Sequence, residues 1–342
     1  MFRSSPRCWT RSAQALGLAD RIHPTLRSGP LYVPADDGLE RAWDPAGALA
    51  SLLEVLEAGG MDRRYFHAIT GVSLTALAHQ WLLDPTRVAA SVRGKRVGIQ
   101  LVADIERVVD ACRGMDDAIG GGGLIRALRE DLRLVTELLS NSSYTEQLGA
   151  RLHVAAAELA RLTGYQSVKA GQNAAAQRYY AVALRSAHAA DDRAVGANVL
   201  AFMAFHSISF GDPRGAVVMI DSALRGGGQF TPKVAAYLHS CRARAAACRG
   251  DDTAWDRSPG MSFDLLTHSR PNNEPAWLYW LDEAFLHGNA GAGALELACA
   301  YTCQQLTRFR ADIAPHAFTA ASSERAKVAP SSETRRSVMI RS

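Results

Sequence analysis

The sequence predicts an all-α protein made of antiparallel helix pairs stacked as a repeat array. Apolar residues recur at three- and four-residue spacing in most segments between turns, and almost no stretch alternates with the period of two that a strand needs. A self-similar unit also returns at a fixed offset, the signature of stacked supersecondary units.

Residues 1–45 carry Pro24, Gly29-Pro30, Pro34, Gly38 and Asp44-Pro45, which punctuate a chain and do not propagate a helix, so they predict an irregular arm. Residues 46–145 read as a helical linking and capping region. Leu49, Leu52, Leu53 and Leu56 fall at helical spacing and Gly59-Gly60 follows as a stop. Leu101, Val102, Ile105, Val108 and Val109 repeat the pattern within 99–115. The run Gly120 to Gly123 breaks it, and a partner helix resumes over 124–139. Asn141-Ser142-Ser143 is a polar turn whose side chains can cap the next helix. From 147 onward Ala, Leu and Arg, all good helix formers, dominate up to about residue 293. Residues 294–342, with no sustained apolar period, read as a divergent, disordered tail.

Within 146–293 the unit Gly171 to Leu184 lies over Gly211 to Leu224. Gly171 matches Gly211, Ala176 matches Ala216, Tyr180 matches Ile220, and Ala183-Leu184 matches Ala223-Leu224, all at an offset of 40; Gly250 marks a third start 39 residues further on. Glycine permits a tight interhelical turn, small alanines allow close approach, and the bulky residue fills the gap between units. The order resembles the second half of a tetratricopeptide repeat and implies a tetratricopeptide-like solenoid. Ala160 and Leu200 stand where that repeat has an aromatic, and the spacing exceeds the usual ~34 residues. An ordinary helical bundle also fits the alanine-rich composition.

Five blocks in order carry a wider resemblance: MDRRYFHAITGVSLTALAHQWL at 61–82, MDDAIGGGGLIRAL at 115–128, LHVAAAELARLTGYQSVKAGQNAAAQRYYAVALRSA at 152–187, GANVLAFMAFHSISFGDPRGAV at 196–217 and PAWLYWLDEAFLHGNAG at 275–291. The chain resembles the helix-turn-helix transcriptional regulators of high-GC bacteria that end in a tetratricopeptide-like domain. The resemblance implies a sensor or protein-interaction domain. In that family a DNA-reading helix-turn-helix precedes the arm, whereas here only residues 11–18 are similar to the end of its last helix. The reader is therefore expected to be missing, and truncation or a frameshift would produce such edges.

Composition narrows the partners. The 342 residues carry a net charge of +4, spread along the chain and far from the basic stripe of a nucleic-acid groove. DNA is expected as a partner only if a reader is supplied elsewhere. The six cysteines form no paired framework and are expected as reduced thiols in a cytoplasmic protein. No apolar run is long enough to span a membrane. Met61 to Phe66 imitates a twin-arginine export signal, but it lies some sixty residues into the chain.

No catalytic triad, paired carboxylates or cofactor motif is legible, so the expectation is a binding protein and not an enzyme, with no cofactor and no metal. Gly120 to Gly123 lacks the lysine of a phosphate loop. Glu283 with His287, and Cys299 with Cys303, match no zinc signature. Cys241 and Cys248 read as packed thiols, and Trp277, Tyr279 and Trp280 as core aromatics. Aligning the turns at Gly171, Gly211 and Gly250 puts Glu158, Arg161, Tyr165, Lys169, Asn198, Phe205, Tyr237 and Arg244 where tetratricopeptide repeats face inward. Mixed charges and aromatics there suit a peptide or protein partner. Two alternatives remain: a self-associating structural protein forming a homodimer, and an intact regulator reading DNA through 46–97 with Arg63, Arg64, Arg87, Arg93, Lys95 and Arg96.

Overall fold

The computed structural model describes residues 41–57, 77–78, 81, 91–92, 94–119, 123–226, 230–302 and 305. Gly29–Leu297 form one compact unit, and the described residues 298–302 and 305 belong to another. The described residues of the first are helical almost throughout: α1 (Pro45–Glu57), α2 (Ile99–Ile119), α3 (Gly123–Asn141), α4 (Glu146–Lys169), α5 (Asn173–Ala189), α6 (Arg193–Ser209), α7 (Pro213–Gly226), α8 (Pro232–Arg249) and α9 (Asp252–Thr267). Two short 3-10 turns, Pro271–Asn273 and Ala276–Leu278, lead into a last helix, α10 (283–302). One two-residue antiparallel ladder pairs Ser91–Val92 with Ser143–Tyr144.

Local chemistry sets the helix ends. Thr145, Asp192, Thr231 and Asp251 each accept a hydrogen bond from a first-turn amide, which satisfies a donor that the helix itself leaves unpaired. The cap of α4 is thus Thr145 and not the neighbouring Asn or Ser, because Ser143 and Tyr144 are held in the ladder. The three repeat glycines occupy the left-handed region, with φ of 76° at Gly171, 81° at Gly211 and 79° at Gly250. After each, the next amide bonds back to the last turn: Gln172 to Ser167, Asp212 to Ser207 and Asp251 to Ala246, at 2.8, 3.0 and 3.0 Å. Asp191 (φ 55°) makes the same kind of turn between α5 and α6, and Asp192 bonds back to Ala187 at 3.0 Å. An aspartate tolerates this conformation at a modest cost.

Each helix packs on its sequence neighbour through α3–α4–α5–α6–α7–α8–α9, the expected arrangement of neighbouring pairs. Within that run α4 also touches α6 and α6 touches α8, each across an intervening helix, and before it α2 packs on α4. One core runs through the unit, from Leu52 in α1 through Leu128, Leu159, Leu184, Leu200 and Ile220 to Leu238 and Leu286. The expected apolar face of α2 is narrower than its sequence suggests. Val102, Ile105 and Val109 are buried, while Leu101 and Val108 are exposed, as is Leu53 of α1. Trp43 lies against Arg185 and His188 of α5, with the guanidinium 4.8 Å and the imidazole 5.1 Å from its ring.

Gly164 shows why the α4–α5 pair is so close. A Cβ built there would come within 2.7 Å of the ring of Tyr180, a side chain almost wholly buried. Gly164→Ala is expected to destabilise the fold by about 1–3 kcal/mol, the usual range for overpacking a core, as read by urea denaturation.

The α10 helix continues past the expected boundary at 293, so residues 294–302 are helical where a disordered tail was expected. Cys112, Cys241 and Cys248 are reduced thiols as expected, but Cys299 is disulfide-bonded, which corrects the expectation of reduced thiols throughout. The export-like block at 61–66, the stop at Gly59-Gly60, Gly120 to Gly122, Arg63, Arg64, Arg87 and Arg93, the arm before residue 41 and the tail beyond 305 lie outside the described residues. Among the described residues no helix is long and apolar enough to cross a membrane.

Candidate functional site

A cavity of about 260 Å³ opens between α4, α6, α8 and the start of α10. Tyr165 enters from α4; Ala201, Phe202, Ala204, Phe205 and Ile208 come from α6; Tyr237, Cys241 and Arg244 come from α8. Trp280, Phe285 and Asn289 close the far side. Side chains three and four apart on α6, and four and seven apart on α8, share one helix face, which is how the helical period gathers them.

The wall is a set of interlocked rings. Tyr165 meets Phe202 edge-on at 5.3 Å, Tyr237 meets Trp280 edge-on at 5.3 Å, and Trp280 meets Phe285 at 4.8 Å. Edge-to-face pairs fix one another's orientation, so the cavity has a defined shape. Its polar groups are few. The Arg244 guanidinium lies 5.2 Å from the Phe205 ring and reaches Asn289 Oδ1 at 3.4 Å. Asn289 is anchored in turn by its Nδ2, which donates to the Ser240 carbonyl at 3.0 Å. Loss of hydration pushes the Cys241 thiol up to about 12, so it carries almost no thiolate at neutral pH and is a wall group instead of a nucleophile.

Beneath the rings lies a buried ion cluster. Glu158 is fully buried and accepts from Arg113 of α2 at 3.0 and 3.1 Å and from Arg161 at 3.1 and 3.4 Å. Burial alone would raise its carboxyl, but the two guanidiniums bring it below the ordinary range. Burial opposes the Arg161 charge as well, and Glu158 more than restores it. The Arg161 guanidinium in turn lies 4.5 Å from the Phe202 ring, on the cavity wall. The cluster therefore ties α2, α4 and the wall together.

Of the residues expected to face a partner, the structure brings Tyr165, Phe205, Tyr237 and Arg244 to this one cavity. Lys169 is exposed near its edge, with Nζ 4.4 Å from the Tyr165 ring. Glu158, Arg161 and Asn198 must be corrected: all three are buried and cannot touch a partner directly. The first two are taken up by the ion cluster, and Asn198 Oδ1 is enclosed without a hydrogen-bond partner. Phe202, Cys241, Phe285 and Asn289 are wall residues that the turn alignment missed. Phe202 sits three before Phe205 and Cys241 four after Tyr237, so extending the face by one helical step would have found both. Of the three aromatics expected in the core, Trp277 is buried, Trp280 is in the cavity wall and Tyr279 is 55% exposed. Glu283 and His287 are exposed, and among the described residues no group of three His, Cys, Asp or Glu side chains could hold a metal.

Compared with known proteins, the chain matches no family model, no curated protein and no solved structure.

Proposed function

We propose that the chain is a cytoplasmic binding module, the sensor part of a transcriptional regulator, whose helix pairs stack as a tetratricopeptide-like solenoid. It acts by binding a peptide, protein segment or small ligand, and not by chemistry. The carrying observation is the aromatic cavity shared by α4, α6 and α8. Those helices also touch one another across the intervening α5 and α7 in the α4–α6 and α6–α8 contacts, as first helices of stacked units do. A concave apolar site with a few convergent polar groups is the ordinary form of a ligand site. At about 260 Å³ it is small enough to take one ring system or one bulky side chain of a longer partner.

The α2 helix is the route by which occupancy would be read out. A ligand that displaces Phe202 disturbs Arg161, Glu158 and Arg113 in turn, and so the seat of α2 on α4. The described basic residues of the DNA-reading alternative, Lys95 and Arg96, are exposed beside the two-stranded ladder and do not themselves lie on a helix. Self-association has one supporting observation, the exposed apolar residues Met261, Tyr279 and Leu295. Light scattering across concentration checks it.

The site reading is tested with a neutral aromatic probe, 2-naphthamide, by saturation-transfer NMR on the full chain. Transfer is expected in the wild type and is expected to vanish in Ala201→Trp, which fills the cavity from a wall position, and in Ala204→Phe. Circular dichroism establishes that both variants remain helical. No transfer in the wild type, or transfer unchanged in folded variants, would overturn the reading.

A further inference from the structure

The cavity has an electrostatic sign as well as a shape. Among the described residues of its lining, Arg244 is the one charged residue and none is a carboxylate. Glu158, the acid of the cluster beneath the rings, is already engaged by Arg113 and Arg161. Arg244 itself is incompletely satisfied: its Nε is buried without a hydrogen-bond partner, and its contact with Asn289 Oδ1 at 3.4 Å is long. A guanidinium presents its N–H groups as a planar fork that matches the two oxygens of a carboxylate. Asn289 and the Phe205 ring hold that fork in place. The remaining wall offers rings and aliphatic carbons.

We propose that the cavity binds a small aromatic carboxylate, with its ring among Tyr165, Phe202 and Tyr237 and its carboxylate on Arg244. This rests on the reading of the cavity as a binding site and adds the chemical class of the occupant. The volume holds one ring system, which a free small acid fills completely. A rigid planar acid also loses little conformational entropy on entry. The carboxylate gives the Arg244 guanidinium a charged acceptor in place of its long contact with Asn289 Oδ1, and an apolar site becomes selective for anions over neutral isosteres.

The test compares 2-naphthoate with 2-naphthamide, which share a ring system and differ mainly in the charge, by calorimetry on the full chain at neutral pH. The proposal expects naphthoate to bind at least about tenfold more tightly, the scale of a charge-assisted hydrogen bond in a partly dry site. In Arg244→Gln that preference is expected to collapse to near equality while naphthamide binding persists. Equal affinities in the wild type, or a preference that survives in R244Q, would overturn the anion assignment and leave the cavity reading standing. If neither probe binds, the cavity reading fails with it. Acetyl-triglycyl-phenylalanine with a free carboxyl supplies the same chemistry from a chain terminus. Tighter binding of that peptide than of naphthoate would overturn the assignment to a small acid.

Discussion

Replacing Glu158 by alanine is expected to destabilise the protein by about 3–5 kcal/mol, the cost of stranding buried guanidiniums without their counter-charge. The carboxylate is fully buried and accepts from both Arg113 and Arg161, so solvent screens little of the loss. Arg113 retains the exposed Asp110 as a partner, whereas Arg161 has no other carboxylate among its ion pairs. The triple exchange Arg113→Met, Glu158→Leu, Arg161→Met is expected to recover most of the stability, because a paired charge cluster and a packed apolar one of similar volume are often near equal in free energy. Urea denaturation of the two variants beside the wild type checks this. A Glu158→Ala loss under about 1 kcal/mol would mean that the cluster is hydrated in solution.

The second large effect is a loss of stability with falling pH that originates at His153. Its ring is buried in α4, its Nδ1 has no hydrogen-bond partner, and burial lowers its pKa to about 4. In the unfolded chain the ring titrates near its ordinary value of about 6.5. Between those two values the unfolded state takes up a proton that the folded state refuses, so its contribution is complete above about pH 6.5 and is lost as pH falls towards about 4. The expected size is about 3 kcal/mol. His188 and His239 are lowered by burial as well, so they add to the slope in the same direction. Glu158, held below its ordinary value, adds its own loss at lower pH. Denaturation midpoints measured at about pH 7 and about pH 4.5 should differ much less in His153→Leu than in the wild type. An unchanged difference would place the pH sensitivity elsewhere.

These two sites mark the border of what the sequence makes legible. The turns are local, and Gly171, Gly211 and Gly250 announce them because a side chain is strained at their positive φ. The α5–α6 turn escapes the same reading because Asp191 fills the role. Helical spacing likewise locates the inner face, and hence Tyr165, Phe205, Tyr237 and Arg244 around one cavity. It does not reveal that Glu158 and Arg161 are buried, because that depends on Arg113, 45 residues away in sequence on α2. An i,i+3 Glu–Arg pair reads as a solvated face until the third charge and the covering helix are seen. The far wall of the cavity is illegible for a similar reason: Trp280, and the helix α10 that carries Phe285 and Asn289, are aimed by irregular turns whose direction no periodicity encodes.

The most direct test of the account is an NMR map of the full chain, labelled at its aromatic residues, titrated to saturation with 2-naphthoate. Resonances of Tyr165, Phe202, Phe205 and Tyr237 are expected to move together, while those of Tyr144 and Phe263, which are not in the cavity lining, stay in place. Ring shifts confined to residues outside α4, α6 and α8 would contradict it.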